Sequence, residues 1–283
     1  MNTRTISVVS RFELRQALRA PGGVLFLALF GIFFGWVLLK LHGFADELIT
    51  LKSQIGNVDA SSIGDTLGWL SWLIDIEGPA FIELLQSHSP FMVLAFYLVI
   101  GATPFMALLA SFDQMATDIN TRHLRFLLLR ADRQSIFVGK ALAAFQLYAI
   151  ATGIYAFAAW GIGVSAGAAD VGEVLYVLRI WATCLFFALP FIALSALNAV
   201  WVGNAMLGLL ASLLYIVLAW MMGAVASYAN PAMVKIGLLS PSAWKYELLL
   251  DDFAGLTPVL IHVVVFTVIA GIAGFTIAMR RDV

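Results

Sequence analysis

Apolar and polar positions along this chain separate into long blocks rather than mixing residue by residue. Runs free of Asp, Glu, Lys and Arg extend from Ala20 to Leu39, Leu84 to Phe112, Ala141 to Ala169, Ile180 to Val234 and Phe253 to Met279. One such charge near mid-bilayer costs about 2.5–3.5 kcal/mol. About 20 apolar residues suffice for one crossing. The second run predicts a span beginning near Pro90. The fourth, at about 1.5 Å per residue, is far too long for a single helix across a bilayer. It holds two spans, with Asn198, Gly203 and Asn204 marking the turn between them. The pattern therefore predicts an all-α membrane protein with six transmembrane helices, residues 1–283 forming a single transmembrane domain.

Composition agrees with the pattern. The chain has 283 residues, 62% hydrophobic and 12% charged, with mean hydropathy +0.96. Soluble domains are about half apolar and about a quarter charged, so a water-soluble globule of this length is excluded. A net charge of −1 points to no nucleic-acid partner. Cys184 is the only cysteine, which excludes an intrachain disulfide and a cysteine metal site. The first apolar run follows four arginines and shows no small-residue cleavage signal, so it reads as a retained span.

The placement of basic residues orients the spans. Arg4, Arg11, Arg15 and Arg19 precede the first span; Arg122, Arg125, Arg130, Arg133 and Lys140 lie between the second and third; Arg280 and Arg281 follow the sixth. Only Lys40, Lys52, Arg179, Lys235 and Lys245 fall on the other side. By the positive-inside rule both termini are expected in the cytoplasm of a cell with this protein in its inner membrane. The outward segments are acidic, among them Asp46, Glu47, Asp59, Asp65, Asp75, Glu77, Asp170, Glu173 and Asp251. Two readings fit: a mouth that attracts cations, or loops that merely lack Lys and Arg.

Four segments outside the spans carry information. In residues 1–20, Arg4, Arg11, Arg15 and Arg19 cluster within about a quarter of a helical wheel, a stripe suited to anionic headgroups if the helix lies in the interface. The opposite face holds Ile6, Val9 and Ala17 but also Glu13 and Gln16, which spoils the amphipathicity. The alternative is a basic topogenic flank without a defined fold. The outward loop, residues 42–89, places Leu67, Leu70, Leu73 and Ile74 on one face, and Phe81, Leu84 and Leu85 on another. Gly78-Pro79 breaks the stretch in two. Trp69 and Trp72 suit the headgroup level, so surface-lying helices are expected, serving as anchors or as a gate. Residues 112–138 combine acids (Asp113, Asp118), bases (Arg122, Arg125, Arg130, Arg133) and an apolar set (Leu124, Phe126, Leu127, Leu128, Leu129). Such a segment fits a helix docking into a partner's groove, or a topogenic loop with a membrane-facing stripe. Residues 224–256 form the last outward segment.

The stretch TRHLRFLLLRADRQSIFVGK (residues 121–140) resembles the cytoplasmic coupling segment of type-2 ABC transporter permeases. Thr121, Leu127, Leu128, Arg133, Gly139 and Lys140 match its pattern. The glutamate usual before the Thr is absent, Asp118-Ile119-Asn120 standing there, and Ala131 occupies a position where proline is common. SRFELRQALRAPGG near the N-terminus is similar to that family's connecting helix, and GLLSPSAWKYELLLDDFAG to its outward stretch before the last span. The resemblance implies the membrane subunit of an ABC exporter that pairs with a second permease copy or a related permease. It implies ATP and Mg bound by separate ATPase subunits, with no cofactor and no catalysis on this chain. Asp113, Asp118, Thr121, Arg122, Arg125, Phe126, Arg130 and Arg133 would meet the ATPase. Arg4, Arg11, Arg15, Arg19, Trp69 and Trp72 would sit at the membrane interface.

Other chemistry is sparse. The sequence holds no GxxxxGK[ST] loop and no HExxH. His42 and His88 bracket the outward loop, too thin a set for a metal site. His262 in the last span is expected to pack through a hydrogen bond. Pro104 and Pro190 lie inside spans, and Gln146, Ser195 and Asn198 are expected to bind neighbouring helices or to face a pathway. No buried chain of carboxylates marks a proton-coupled carrier. An ATPase-independent secondary transporter or membrane assembly factor remains the alternative. The arginine asymmetry yields a direct test. In a Cys184→Ala background, Ser53→Cys should react with an impermeant maleimide only from the outside; labelling only from the cytoplasmic face would reverse the topology.

Overall fold

The computed structural model describes residues 3–55, 78–120, 131–229, 240–241, 245–250 and 253–280. Among these residues every regular element is helical. In chain order they are α1 (Thr3–Ala17), α2 (Pro21–Gly43), α3 (Ala45–Ile55), α4 (Gly78–Ser87), α5 (Pro90–Asn120), α6 (Arg133–Ser165), α7 (Val174–Val202), α8 (Ala205–Ala229) and α9 (Phe253–Arg280). Short 3-10 turns cover Val171–Glu173 and Lys245–Leu249. Six helices, α2 and α5 to α9, are long and apolar enough to cross a membrane. The chain is a polytopic all-α membrane protein.

Local chemistry explains where the helices start and stop. α2 opens on Pro21, whose fixed φ and missing N–H suit a first helical turn. α4 opens at Gly78-Pro79, where the sequence pattern predicts a break. The piece upstream, with Trp69 and Trp72, lies outside the described residues. α6 is capped by Asp132, whose side chain accepts from the Ser135 N–H. α7 ends on Gly203 in the left-handed region (φ 73°), its N–H returning to Ala199 O. Asn204 then accepts from the Leu207 N–H to start α8.

Two boundaries differ from the sequence reading. The turn in the long fourth run is Gly203-Asn204 alone. Asn198 sits inside α7, buried, and donates to Ser212 Oγ of α8 at 2.8 Å. The third span starts at Arg133 rather than Ala141 and ends at Ser165 rather than Ala169. A charge-free criterion stops at Lys140, yet the helix runs straight through that residue because a partner neutralises it.

The core lies where α5, α6 and α7 meet. In the most apolar eighteen-residue stretch of α5 and of α7, 56% of positions are buried, against 17% in α9. The first two are therefore enclosed by protein, whereas α9 turns Ile261, Val264, Val265, Val268, Ile269 and Ile272 outward, to lipid. α2 contributes a ladder of Phe26, Phe30 and Phe34, with ring centroids 5.7 and 4.5 Å apart, and Phe34 continues onto Tyr155 of α6 at 4.6 Å. Thr103 bonds to Val99 O and to Tyr148 Oη, both at 2.8 Å, and Tyr155 to Ala95 O at 3.1 Å. In a bilayer no water replaces such partners.

The elbow between α1 and α2 depends on one glycine. A Cβ on Gly23 would stand 1.9 Å from the Ala17 carbonyl oxygen, a contact that only backbone movement could relieve. Gly31, in the same helix, has nothing within 4 Å of that position. Gly23→Ala should therefore destabilise the purified protein by upward of about 2 kcal/mol, while Gly31→Ala stays near neutral. Thermal unfolding in detergent separates the two; equal melting curves would show that the elbow carries no strain.

Candidate functional site

The first turns of α6 follow directly on the segment that the sequence singles out, and they gather three other elements. Asp132 begins the helix by accepting from the Ser135 N–H at 3.1 Å. Hydrogen bonding to Ser135 holds the Asp132 carboxyl below its ordinary 3.8. This cap is therefore fully present above the ordinary value and is lost as pH falls through the lower folded one. Arg133, half-buried, donates from Nη1 to Met279 O at 3.1 Å, placing a cation on the last carbonyls of α9. One turn further on, Phe137 meets Phe275 of α9 edge to face, 5.9 Å between centroids. Phe137 also packs with Ala196, Ala199 and Val200 of α7. Gly274 of α9 lies against the same ring and the Leu197 backbone of α7; a Cβ there would come within 3.1 Å of Leu197 Cα.

Gly139 and Lys140 receive α1. A Cβ on Gly139 would meet Val9 Cγ1 at 2.7 Å, so only glycine admits the N-terminal helix this closely. Lys140 Nζ lies 2.8 Å from Glu13 Oε1, with side chains only 3% and 8% exposed. Ser10 Oγ donates to Gln146 Oε1 at 2.9 Å. The buried stripe of α1 is thus Ile6, Ser10, Glu13 and Ala17. The acid that spoils the amphipathic pattern is the residue that fastens the helix. Glu13 and Lys140 are absent from the site expected from the sequence, and two signals pointed to them: a carboxylate on an apolar face, and a lysine where an apolar run begins.

The expected site residues divide between these contacts and regions outside the described residues. Asp113 lies near the end of α5 against the first turn of α2. A Cβ on Gly22 would come 2.7 Å from its Oδ2. Since Ala20 offers α2 no side-chain cap, this carboxylate supplies negative charge where the helix dipole favours it. Asp113 and Arg133 therefore both face termini of neighbouring helices. Asp118 belongs to α5, but its side chain is not among those described. Thr121, Arg122, Arg125, Phe126 and Arg130 lie outside the described residues. Arg4, Arg11 and Arg15 are exposed on the side of α1 away from α6, and Arg19, just past the end of α1, is exposed as well.

The opposite, acidic end is tied by different chemistry. The Ser89 N–H donates to Glu173 Oε1 at 2.9 Å, and the Ser89 hydroxyl donates to Ala168 O. Arg179 Nη2 donates to Leu249 O at 2.9 Å, and its guanidinium lies 5.2 Å from the centre of the Tyr176 ring. His88 stacks on that same tyrosine at 3.7 Å. His262 donates from Nε2 to Ser240 O at 3.0 Å, a packing role as expected. Among the described residues no three His, Cys, Asp or Glu side chains converge as metal ligands.

No protein-family model matches the chain, and no curated protein matches it.

Removing one member of a buried ion pair strands the other, at a cost of about 3–5 kcal/mol. Glu13→Leu and Lys140→Met should each destabilise the protein by that order, whereas the double change Glu13→Leu/Lys140→Met should recover most of the loss. A double-mutant cycle by thermal unfolding measures the coupling; strictly additive effects would mean the contact is energetically idle.

Proposed function

We propose that this chain is the permease subunit of an ATP-driven type-2 ABC transporter, an exporter whose ATP hydrolysis resides in separate ATPase subunits. In this reading the arginine-rich end faces the cytoplasm, and a second permease copy or a related permease completes the pathway. The observation that carries the proposal is the junction at the foot of α6. A force applied to residues 121–130 reaches Asp132 and Arg133 within a few residues. There Arg133 grips the end of α9, Phe137 packs against α7 and α9, and Lys140 holds α1. A rigid helix so connected moves several elements as a body. The family named for the sequence of residues 121–140 supplies the driver; the local geometry supplies a reason for the Gly139-Lys140 pair in that sequence.

A proton-coupled carrier fits less well. Among the described residues the buried charged groups are Glu13, Lys140 and Glu173. The first two neutralise each other at one end and the third caps a loop contact at the other. None lies midway along a span, where a proton relay needs its carboxylates.

Exchanging Asp118 and Arg122 preserves net charge and the topogenic signal but reverses the pattern a partner would read. Misplaced charges at a docked interface typically cost about 2–5 kcal/mol. The exchange should strip ATPase from the purified permease or uncouple ATP turnover from transport in liposomes. The outward exchange of Asp59 with Lys52 should do neither. If ATPase copurification and turnover survive both this exchange and neutralisation of Arg122, Arg125, Arg130 and Arg133, the ABC reading fails and the secondary-transporter alternative takes its place.

A further inference from the structure

We propose that the molecule this chain moves is an amphiphile with a hydrocarbon chain, carried along a dry apolar path on the outside of the protomer, and not a hydrophilic solute in a wet pore. The inference rests on the permease reading and supplies its substrate class. The inside of the protomer has no route. Phe96, Ile100, Leu108, Tyr148, Phe187 and Phe191, each under 2% exposed, fill the place where α5, α6 and α7 meet. A path between two copies must therefore be lined by side chains that one protomer leaves exposed.

Those side chains are apolar through the middle of the spans. The stretches are Val24 to Leu39 in α2, Leu142 to Phe157 in α6, Leu175 to Trp201 in α7, Met206 to Val225 in α8 and Ile261 to Ile272 in α9. In all five, every exposed side chain among the described residues is a hydrocarbon, a thioether or an aromatic ring. In α5 only Phe105 is exposed among the described side chains. The polar groups nearest the surface are occupied within the chain. Gln146 Oε1 accepts from Ser10 at 2.9 Å, Thr183 donates to Arg179 O at 2.8 Å and Thr267 to Val263 O at 2.7 Å. Among the described residues, exposed hydroxyls of the spans come only near span ends, at Ser165, Thr257 and Thr276.

Lipid accounts for hydrocarbon on the outside of any single protomer. It does not account for every face once a second copy is present, because a path between copies takes at least one face out of lipid. A hydrophilic solute on that path needs water or hydrogen-bond partners, and polar side chains facing a cavity mark such a route. No described face supplies them, whichever one meets the second copy. A sugar, an ion or a polar peptide would lose its hydration against these walls with nothing in exchange. An acyl chain loses nothing, since the walls are as apolar as the lipid tails it leaves. The walls are also adaptable: Met206, Met221 and Met222 of α8 are exposed, and unbranched thioethers accommodate chains of varied shape.

The test begins with Ile32→Cys, Phe105→Cys, Ile150→Cys, Ala182→Cys, Val217→Cys and Val268→Cys, made singly in the full chain with Cys184→Ala. Each places a nitroxide on the exposed side of a different span, in liposomes. Collisions with oxygen, which dissolves in lipid, should be high at all six. Collisions with a water-soluble nickel chelate, present on both sides, should fall to background. Ser53→Cys should show the reverse. Nickel collisions above background at any of the six would put water on a span face and overturn the inference. A second measurement uses liposomes that hold the permease with its copurified ATPase. Lysophosphatidylcholine and glycerophosphocholine share a headgroup and differ by the acyl chain. The first should stimulate ATP turnover, its half-maximal aqueous concentration falling about fourfold for each added CH₂, and the second should not. Turnover that ignores the chain would also overturn the inference. The collision measurements need no ATPase, so failure of the ATPase to copurify counts against the permease reading, and nickel collisions count against the substrate class alone.

Discussion

The buried contact between Glu13 and Lys140 is the interaction on which the arrangement at the arginine-rich end depends. Alone, either group would be expensive at 3% or 8% exposure, because removal from water penalises the charged form by several kcal/mol. Together they let α6 begin well before the charge-free run that starts at Ala141 and let a polar stretch near the N-terminus become part of the bundle. The approach is possible because Gly139, the residue before the lysine, has no side chain where Val9 must sit. Glycine and lysine in sequence thus do two halves of one job: the first removes volume, the second supplies charge. Either substitution alone would leave α1 held by little more than Ile6, Ala17 and the Ser10–Gln146 bond.

Once α1 is fixed, the foot of α6 becomes the place where separate chain segments meet. α9 is the least buried of the six spans, yet its last turns pack Phe275, Ile277 and Ala278 against α6 and α7. Arg133 on the Met279 carbonyl and the Phe137–Phe275 pair fix that end. α2, also largely lipid-facing, is met at its first turn by Asp113. The same rule governs both: charged side chains at the ends of α5 and α6 complement the exposed dipole ends of the two peripheral helices. The acidic end follows a different rule. There carboxylate and guanidinium bind backbone groups of loops, Glu173 the Ser89 N–H and Arg179 the Leu249 carbonyl. Those contacts close connections between spans, whereas the ones at the foot of α6 join helices to one another.

The architecture was legible because a bilayer makes charge and length decisive, and six spans follow from five charge-free runs with one doubled. What the runs could not locate was any helix boundary set by a contact distant in sequence. Lys140 ends a charge-free run, and nothing nearby reveals that its partner is Glu13. Asn198 looks like a turn residue by type, yet its partner Ser212 comes from the next helix, and the turn belongs to Gly203, where φ of 73° requires glycine. Residue type identifies a polar group that needs satisfying; it does not say whether solvent, a loop or a neighbouring helix will do so. The site shows the same division. Arg133 and Asp113 were legible as charges flanking an apolar segment, but their targets are helix termini of the same chain. The exposed arginines of α1 were legible as a stripe, because a stripe needs only local periodicity.

A mechanical role asks for stiffness in one element and for contacts that switch as units rather than stretch. α6 meets the first condition: it is an unbroken helix of 33 residues, with Asp132 closing its first turn. A buried ion pair, a guanidinium on a helix end and an edge-to-face aromatic pair meet the second, since each depends on tight geometry and loses its strength over a displacement of an ångström or two. A push on the foot of α6 therefore either carries α1, α7 and α9 with it or breaks discrete contacts. Apolar packing against lipid would allow a continuous slide instead. The polar contacts sit at the foot of α6, and the peripheral faces of α8 and α9 stay apolar. This distribution is the one expected if force enters at the foot of α6 and passes through those contacts to the helices they join.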